Sequence, residues 1–160
     1  MSAKNNEYIY LAFLTEPRQV GEKTKRSPQH LTLVPPFPAI SPLSKLKTAV
    51  KEVAAETKPV KAKIAKEARW GPRRNIDVFL VEPVDVIAML HYQLMHKLES
   101  IGISVPTNYV REAFLPHIRV RPAHTTEFKK GQMIDIDHIA IMHKDKGYRT
   151  MLAKEELRGE

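Results

Sequence analysis

The chain of 160 residues contains no cysteine. That excludes disulfides, thiolate nucleophiles and cysteine-ligated zinc, and it accords with a reducing cytosol, so a cytoplasmic protein is expected. No apolar run approaches the roughly 20 residues needed to cross a bilayer. The longest, Val78 to Leu90, is broken by Glu82, Pro83 and Asp85. Met1 to Glu7 lack the apolar segment of a signal peptide, and no association with a membrane is expected. Glycine is sparse: six scattered residues form no phosphate-cradling loop and no G-x-G-x-x-G fingerprint, and no serine elbow is present. Acidic residues are also in deficit, with 26 Lys/Arg against 18 Asp/Glu and a net charge of +8. The excess is lopsided. Residues 1–74 carry 15 Lys/Arg and 6 Asp/Glu, whereas residues 75–160 carry 11 and 12. A basic half beside a neutral half suits a polyanion such as RNA or nucleotide phosphates. A solvated lysine-rich surface would look the same.

What is present fits one soluble domain spanning residues 1–160, with 42% hydrophobic and 28% charged residues. Tyr8 to Leu14, His30 to Val34, Val60 to Lys66 and Ile76 to Val81 read as strands, the second ended by Pro35-Pro36. Thr15 to Pro28 reads as a polar connection and Trp70 to Asn75 as a turn. Ser41-Pro42 signals a helix that runs to about Thr57, with Leu43, Leu46, Val50 and Val53 inward. A second helix starts at a cap on Asp85, carries the stripe Ile87, Leu90, Leu94, Leu98 and Ile101, and ends at Gly102. Met133 to Met142 and Tyr148 to Leu152 read as the last two strands, joined by a turn at Lys144–Gly147.

Two short phrases carry the chemistry. His30-Leu31-Thr32-Leu33 and His117-Ile118-Arg119-Val120 each open with histidine and read as strands. Side chains alternate along a strand, so His30 and Thr32 share a face, as do His117, Arg119 and Arg121. Leu31, Leu33, Ile118 and Val120 face the core. Two imidazoles with polar partners form a candidate acid and base. Each histidine could instead be an ordinary strand residue, and Arg121 a solvated one.

The pair, in this order and each preceded by proline context (Pro28-Gln29-His30 and Leu115-Pro116-His117), resembles the two-histidine phosphoesterases. That family includes the RNA 2′,5′-ligase-like proteins and the cyclic phosphodiesterases. Pro28 to Phe37 is similar to its first His-x-Thr/Ser motif, and Ile134 to Met142 with Tyr148-Arg149 to its last hairpin. The likeness spans roughly residues 8 to 153. It implies an α+β fold of two pseudo-symmetric antiparallel-sheet lobes, helices outside and a cleft between them. It further implies a phosphodiesterase or ligase-like enzyme, independent of metal and cofactor, acting on 2′,3′-cyclic or 2′,5′-linked phosphodiesters of RNA ends or nucleotides. His30 and His117 would be acid and base, and Thr32, Arg119 and Arg121 would bind phosphate. A monomer is expected. Arg119 departs from the family's Thr or Ser: an arginine can clamp phosphate with more charge, or it can mark a protein that binds RNA or phosphate without catalysis.

Tyr109, Phe114 and Trp70 are aromatics that could stack on a base or pack in the core. The remaining histidines are expected to be structural or exposed. His91 and His96 lie five apart on the second helix and do not share a face. His138, on a continuous strand, would point away from Asp135 and Asp137, so no metal site is expected there. His124 and His143 are expected near strand ends.

Overall fold

The computed structural model describes residues 6–14, 19–24, 29–71, 73–105, 110–119 and 128–160. In chain order these form β1 (Glu7–Phe13), β2 (Lys23–Thr24), β3 (His30–Pro38), α1 (Leu43–Glu56), β4 (Val60–Trp70) and β5 (Ile76–Glu82), then α2 (Val84–Ser100), β6 (His117–Arg119), β7 (Met133–Ile136), β8 (His138–Asp145) and β9 (Tyr148–Glu156). A 3₁₀ turn at Arg111–Ala113 leads toward β6. All strand pairings are antiparallel, in the order β2-β9-β8-β1-β3-β6-β5-β4-β7. The fold is α+β, and its two lobes are the halves of one ladder that meet where β3 pairs with β6. No described helix is long and apolar enough to cross a membrane.

The continuous apolar run of β1 follows from its place in the middle of one half, covered on both faces. Tyr8, Tyr10 and Ala12 join the main core on the helical face, whereas Ile9, Leu11 and Phe13 pack with Ala140, Met142 and Met151 on the other. Helix α1 buries Leu46, Ala49, Val50, Val53 and Ala54; α2 buries Ile87, Leu90, His91, Leu94, Met95 and Leu98. Each fully buried leucine among these contributes about 1.5–3 kcal/mol of transfer free energy. Neither helix has a side-chain cap. Pro42 and Pro83 hold the N-cap positions, so Ser41 and Asp85 are not caps. Asp85 lies instead in the first turn of α2, where its charge meets the positive end of the helix dipole.

Three more expectations need correction. β3 does not end at Pro35-Pro36 but continues to Pro38. Register shifts against β1 around Tyr10 absorb the irregularity. β6 contacts β3 only at Leu31, so the prolines, which lack an N–H, lie where the second edge of β3 has no strand partner among the described residues. The supposed polar connection after β1 includes the short strand β2, which pairs with β9. Met133 to Met142 is not one strand: it breaks at Asp137. β7 pairs with β4 at one edge of the sheet, and β8 lies between β1 and β9 near the other. A single residue therefore bridges positions far apart in strand order, which requires the sheet to curl until β7 approaches β8. The β8–β9 hairpin turns at Lys146-Gly147, with φ of 51° and 82°. Positive φ at both positions is the type I′ turn, which matches the strand twist.

Candidate active site

The seam between the lobes is set by one pair, Leu31 opposite Ile118. Both are fully buried on the helical face. Their neighbours in each strand therefore point to the opposite face. Extending the register places His30 across from Arg119 and Thr32 across from His117. The two histidines are diagonal partners, with Cα atoms roughly 7–8 Å apart for such a relation. A local two-fold axis through the Leu31–Ile118 pair relates His30 to His117 and Thr32 to Arg119.

Each imidazole has a distinct setting. His117 Nδ1 lies 2.8 Å from the Leu115 carbonyl, which accepts its proton in the neutral ring and leaves the Nε2 lone pair available. Burial pushes the pKa of His117 below the ordinary histidine value, and the Leu115 carbonyl opposes that shift only in part. The Trp70 ring packs on it at 4.5 Å, tilted by 36°. Trp70 is the last residue of β4, not part of the following turn. His30 is half-buried, and Phe13 meets its ring edge-on at 6.5 Å and 75°. Thr32 is half-buried, and Arg119 is exposed at the end of β6. Arg121, Tyr109 and His124 lie outside the described residues.

Sequence reasoning missed what supports this face. His138 is buried, with 5% exposure. The break at Asp137 turns that carboxylate toward it, so His138 Nδ1 lies 2.7 Å from Asp137 Oδ1, contrary to the expected opposite orientation. Asp135 stays on β7 and pairs with Lys61 at 2.9 Å. His138 Nε2 accepts the Phe13 backbone N–H at 3.1 Å, and its ring stacks on Phe13 at 6.2 Å and 21°. Asp137, His138, Phe13 and His30 thus form a chain of contacts. A strand pattern interrupted by one residue carries no local mark of this. Among the described residues no group of three or more His, Asp or Glu converges as metal ligands.

Phe114 is buried and stacks on His91, with centroids 4.1 Å apart and planes 2° from parallel, so it belongs to the core, not to a base-binding surface. His91 is fully buried. Its Nδ1 donates to the Leu33 carbonyl at 2.7 Å and its Nε2 accepts the Arg111 N–H at 2.9 Å, tying α2 both to β3 and to the segment that leads into β6. Burial lowers its pKa; the Leu33 carbonyl opposes that shift, and the Arg111 charge adds to it in smaller measure. His143 lies within β8 and contacts Asn6 Oδ1 at 2.7 Å.

The sequence model of the 2′-5′ RNA ligase superfamily matches residues 12–129, a span that holds both histidine strands. The chain belongs to this superfamily. A protein of Geobacillus kaustophilus (strain HTA426), provisionally named a phosphoesterase, is 35% identical over 94 residues, covering 58% of this chain and 50% of its own length. A Bacillus licheniformis protein with the same provisional naming is 31% identical over 94 residues, 58% of this chain and 52% of its own. The chain thus spans about half the length of the curated relatives it matches. TT0787 of Thermus thermophilus has a similar fold, with a TM-score of 0.70, 21% identity and coverage of 96% and 99% of the two chains. Escherichia coli LigT, solved with 3′-AMP, superposes with a TM-score of 0.60 at 14% identity, covering 95% and 98%. Superfamily membership agrees with the resemblance carried by the two histidine motifs.

Proposed function

We propose that the protein is a phosphodiesterase acting on 2′,3′-cyclic or 2′,5′-linked phosphodiesters at RNA ends or in nucleotides, working as one bilobal domain. The observation that carries the proposal is the Leu31–Ile118 register, which favours His30 and His117 on one face within reach of a common phosphorus. His117, half-buried and with its pKa pushed below the ordinary histidine value, is suited to be the base: its Nε2 takes a proton from water as the water oxygen attacks phosphorus. His30 is then the acid, giving its proton to the leaving ribose oxygen. Negative charge grows on the non-bridging oxygens, where the Thr32 hydroxyl and the Arg119 guanidinium, on the same face as the two histidines, are suited to donate; the sequence spacing adds Arg121 as a candidate donor.

The test is hydrolysis of 2′,3′-cyclic nucleotides by wild type, His30→Ala and His117→Ala. Loss of either imidazole is expected to lower kcat by roughly 10²–10⁴-fold. An active wild type whose alanine variants keep full rate refutes the site. The exposed cation at Arg119 also favours a second reading, an RNA- or phosphate-binding protein without turnover. Its sign would be RNA affinity that falls steeply with salt in the absence of hydrolysis.

A further inference from the structure

We infer that the groove flanking His117 is a subsite for the nucleotide that precedes the reactive end of an RNA strand. This rests on the phosphodiesterase reading above and names its substrate as an oligonucleotide end rather than a free mononucleotide. The groove encloses about 390 Å³, within the range of small-ligand sites. It is continuous with the histidine face. Leu80 in its wall pairs directly with His117, and Leu115 is the residue whose carbonyl meets His117 Nδ1. One step further along the sheet, Lys63 pairs with Glu82 on the same face, and both line the groove.

Local backbone irregularity opens this space. Between the pairs Ile64–Val81 and Glu67–Phe79, β4 advances three residues while β5 advances two. The extra residue is a bulge at Ala65-Lys66, and bulges re-aim side chains beside functional sites. The facing wall is the turn at Lys130-Gly131, fixed by Gly131 N–H to the Ile64 carbonyl at 2.7 Å and Ile64 N–H to the Gln132 carbonyl at 2.8 Å.

The lining has two characters. Leu80, Val84 and Leu115 give an apolar surface against which a base or ribose can lie, while Lys66 and Lys130 stand exposed at the rim. Lys63 is already neutralised by Glu82 at 3.2 Å, but neither Lys66 nor Lys130 makes an ion pair among the described residues. An apolar wall beside two exposed cations fits a nucleoside with its phosphate better than a bare anion. A strand with a 2′,3′-cyclic end continues in one direction only, so one adjoining groove suffices to hold its next residue.

The test compares a 2′,3′-cyclic mononucleotide with an RNA tetranucleotide ending in a 2′,3′-cyclic phosphate, on wild type and on the Lys66→Gln/Lys130→Gln double variant. Both lysines are exposed, so the variant retains the fold. Wild type is expected to show the lower KM for the tetranucleotide. The double variant is expected to raise that KM about tenfold, the scale of one charged hydrogen bond, and to leave the mononucleotide KM within about twofold. Its salt dependence for the tetranucleotide should be shallower by up to about 1.4 in log–log slope. Equal effects on both substrates, or none, overturn the subsite. If wild type hydrolyses neither substrate, the phosphodiesterase reading fails, and anisotropy with a fluorescent tetranucleotide bearing a 3′-phosphate decides the groove separately. Binding about tenfold weaker in the double variant supports it, and unchanged binding overturns it.

Discussion

Replacing His138 by alanine probes the least anticipated contact in the molecule. The imidazole lies between the Phe13 ring and the Asp137 carboxylate with 5% of its surface exposed. Its removal orphans the Phe13 N–H, now held at 3.1 Å by Nε2, in the interior of the sheet. An unsatisfied buried donor costs about 1–3 kcal/mol. The vanished ring also leaves a void beside Phe13, and aromatic-to-alanine truncations in cores cost about 3–5 kcal/mol, somewhat less for the smaller imidazole. A total of about 3–5 kcal/mol is expected, a large part of the 5–15 kcal/mol typical of a domain. His138→Gln should cost less, because its Oε1 can take the place of Nε2 and keep the Phe13 N–H paired. Asp137→Ala should cost under about 1 kcal/mol, since that carboxylate is 57% exposed and largely screened. Urea titration at constant m reads all three as shifts of midpoint. An alanine variant within about 1 kcal/mol of wild type, or an Asp137→Ala variant as damaged as His138→Ala, would refute the reasoning.

His91 should make stability pH-dependent. Burial holds its folded-state pKa below the ordinary value of about 6.5, so the unfolded chain binds more protons as pH falls. Stability is therefore full above about pH 6.5 and declines on acidification below it; His91→Gln should reduce that slope in urea midpoints measured from pH 5 to 8. His117 shares the sign, so a residual slope should remain. Arg119→Thr should lower kcat/KM on a cyclic nucleotide about tenfold if the guanidinium clamps phosphate, and a gain in rate would show instead that it obstructs the site. Gly71→Ala should cost about 1–2 kcal/mol, because φ is +92° there and the new Cβ would lie 3.1 Å from Ile76 Cδ1. A melting temperature unchanged within about 1 °C would contradict it.

Local pattern made the histidine strands, both helices and most of the sheet legible, because period-2 and period-3.6 burial are written in adjacent residues. Each histidine phrase was legible as a strand with one polar face, but nothing in either phrase fixed Leu31 opposite Ile118. What escaped depends on distant partners. Pro35-Pro36 looked like a terminus until the missing neighbour on that edge was known. Asp137 looked like one more alternating residue, although β7 and β8 on either side of it pair with strands far apart in the sheet. His91 and His138 are polar residues in apolar surroundings, tolerated only because each ring nitrogen finds a backbone or carboxylate partner. The same holds for Trp70, whose place against His117 is decided by where β4 ends and not by the turn-like residues after it.

The position of β1 between β3 and β8 has a consequence for synthesis on the ribosome. Phe13 and His138, which meet in the finished protein, are separated by 125 residues. At about 5–20 residues per second, the nascent chain waits roughly 6–25 s before its first strand acquires its second neighbour. Throughout that interval Ile9, Leu11 and Phe13 await the covering residues of β8 and β9. The first strand to be translated is thus among the last to be completed, and its apolar underside stays uncovered until the C-terminal hairpin has been made.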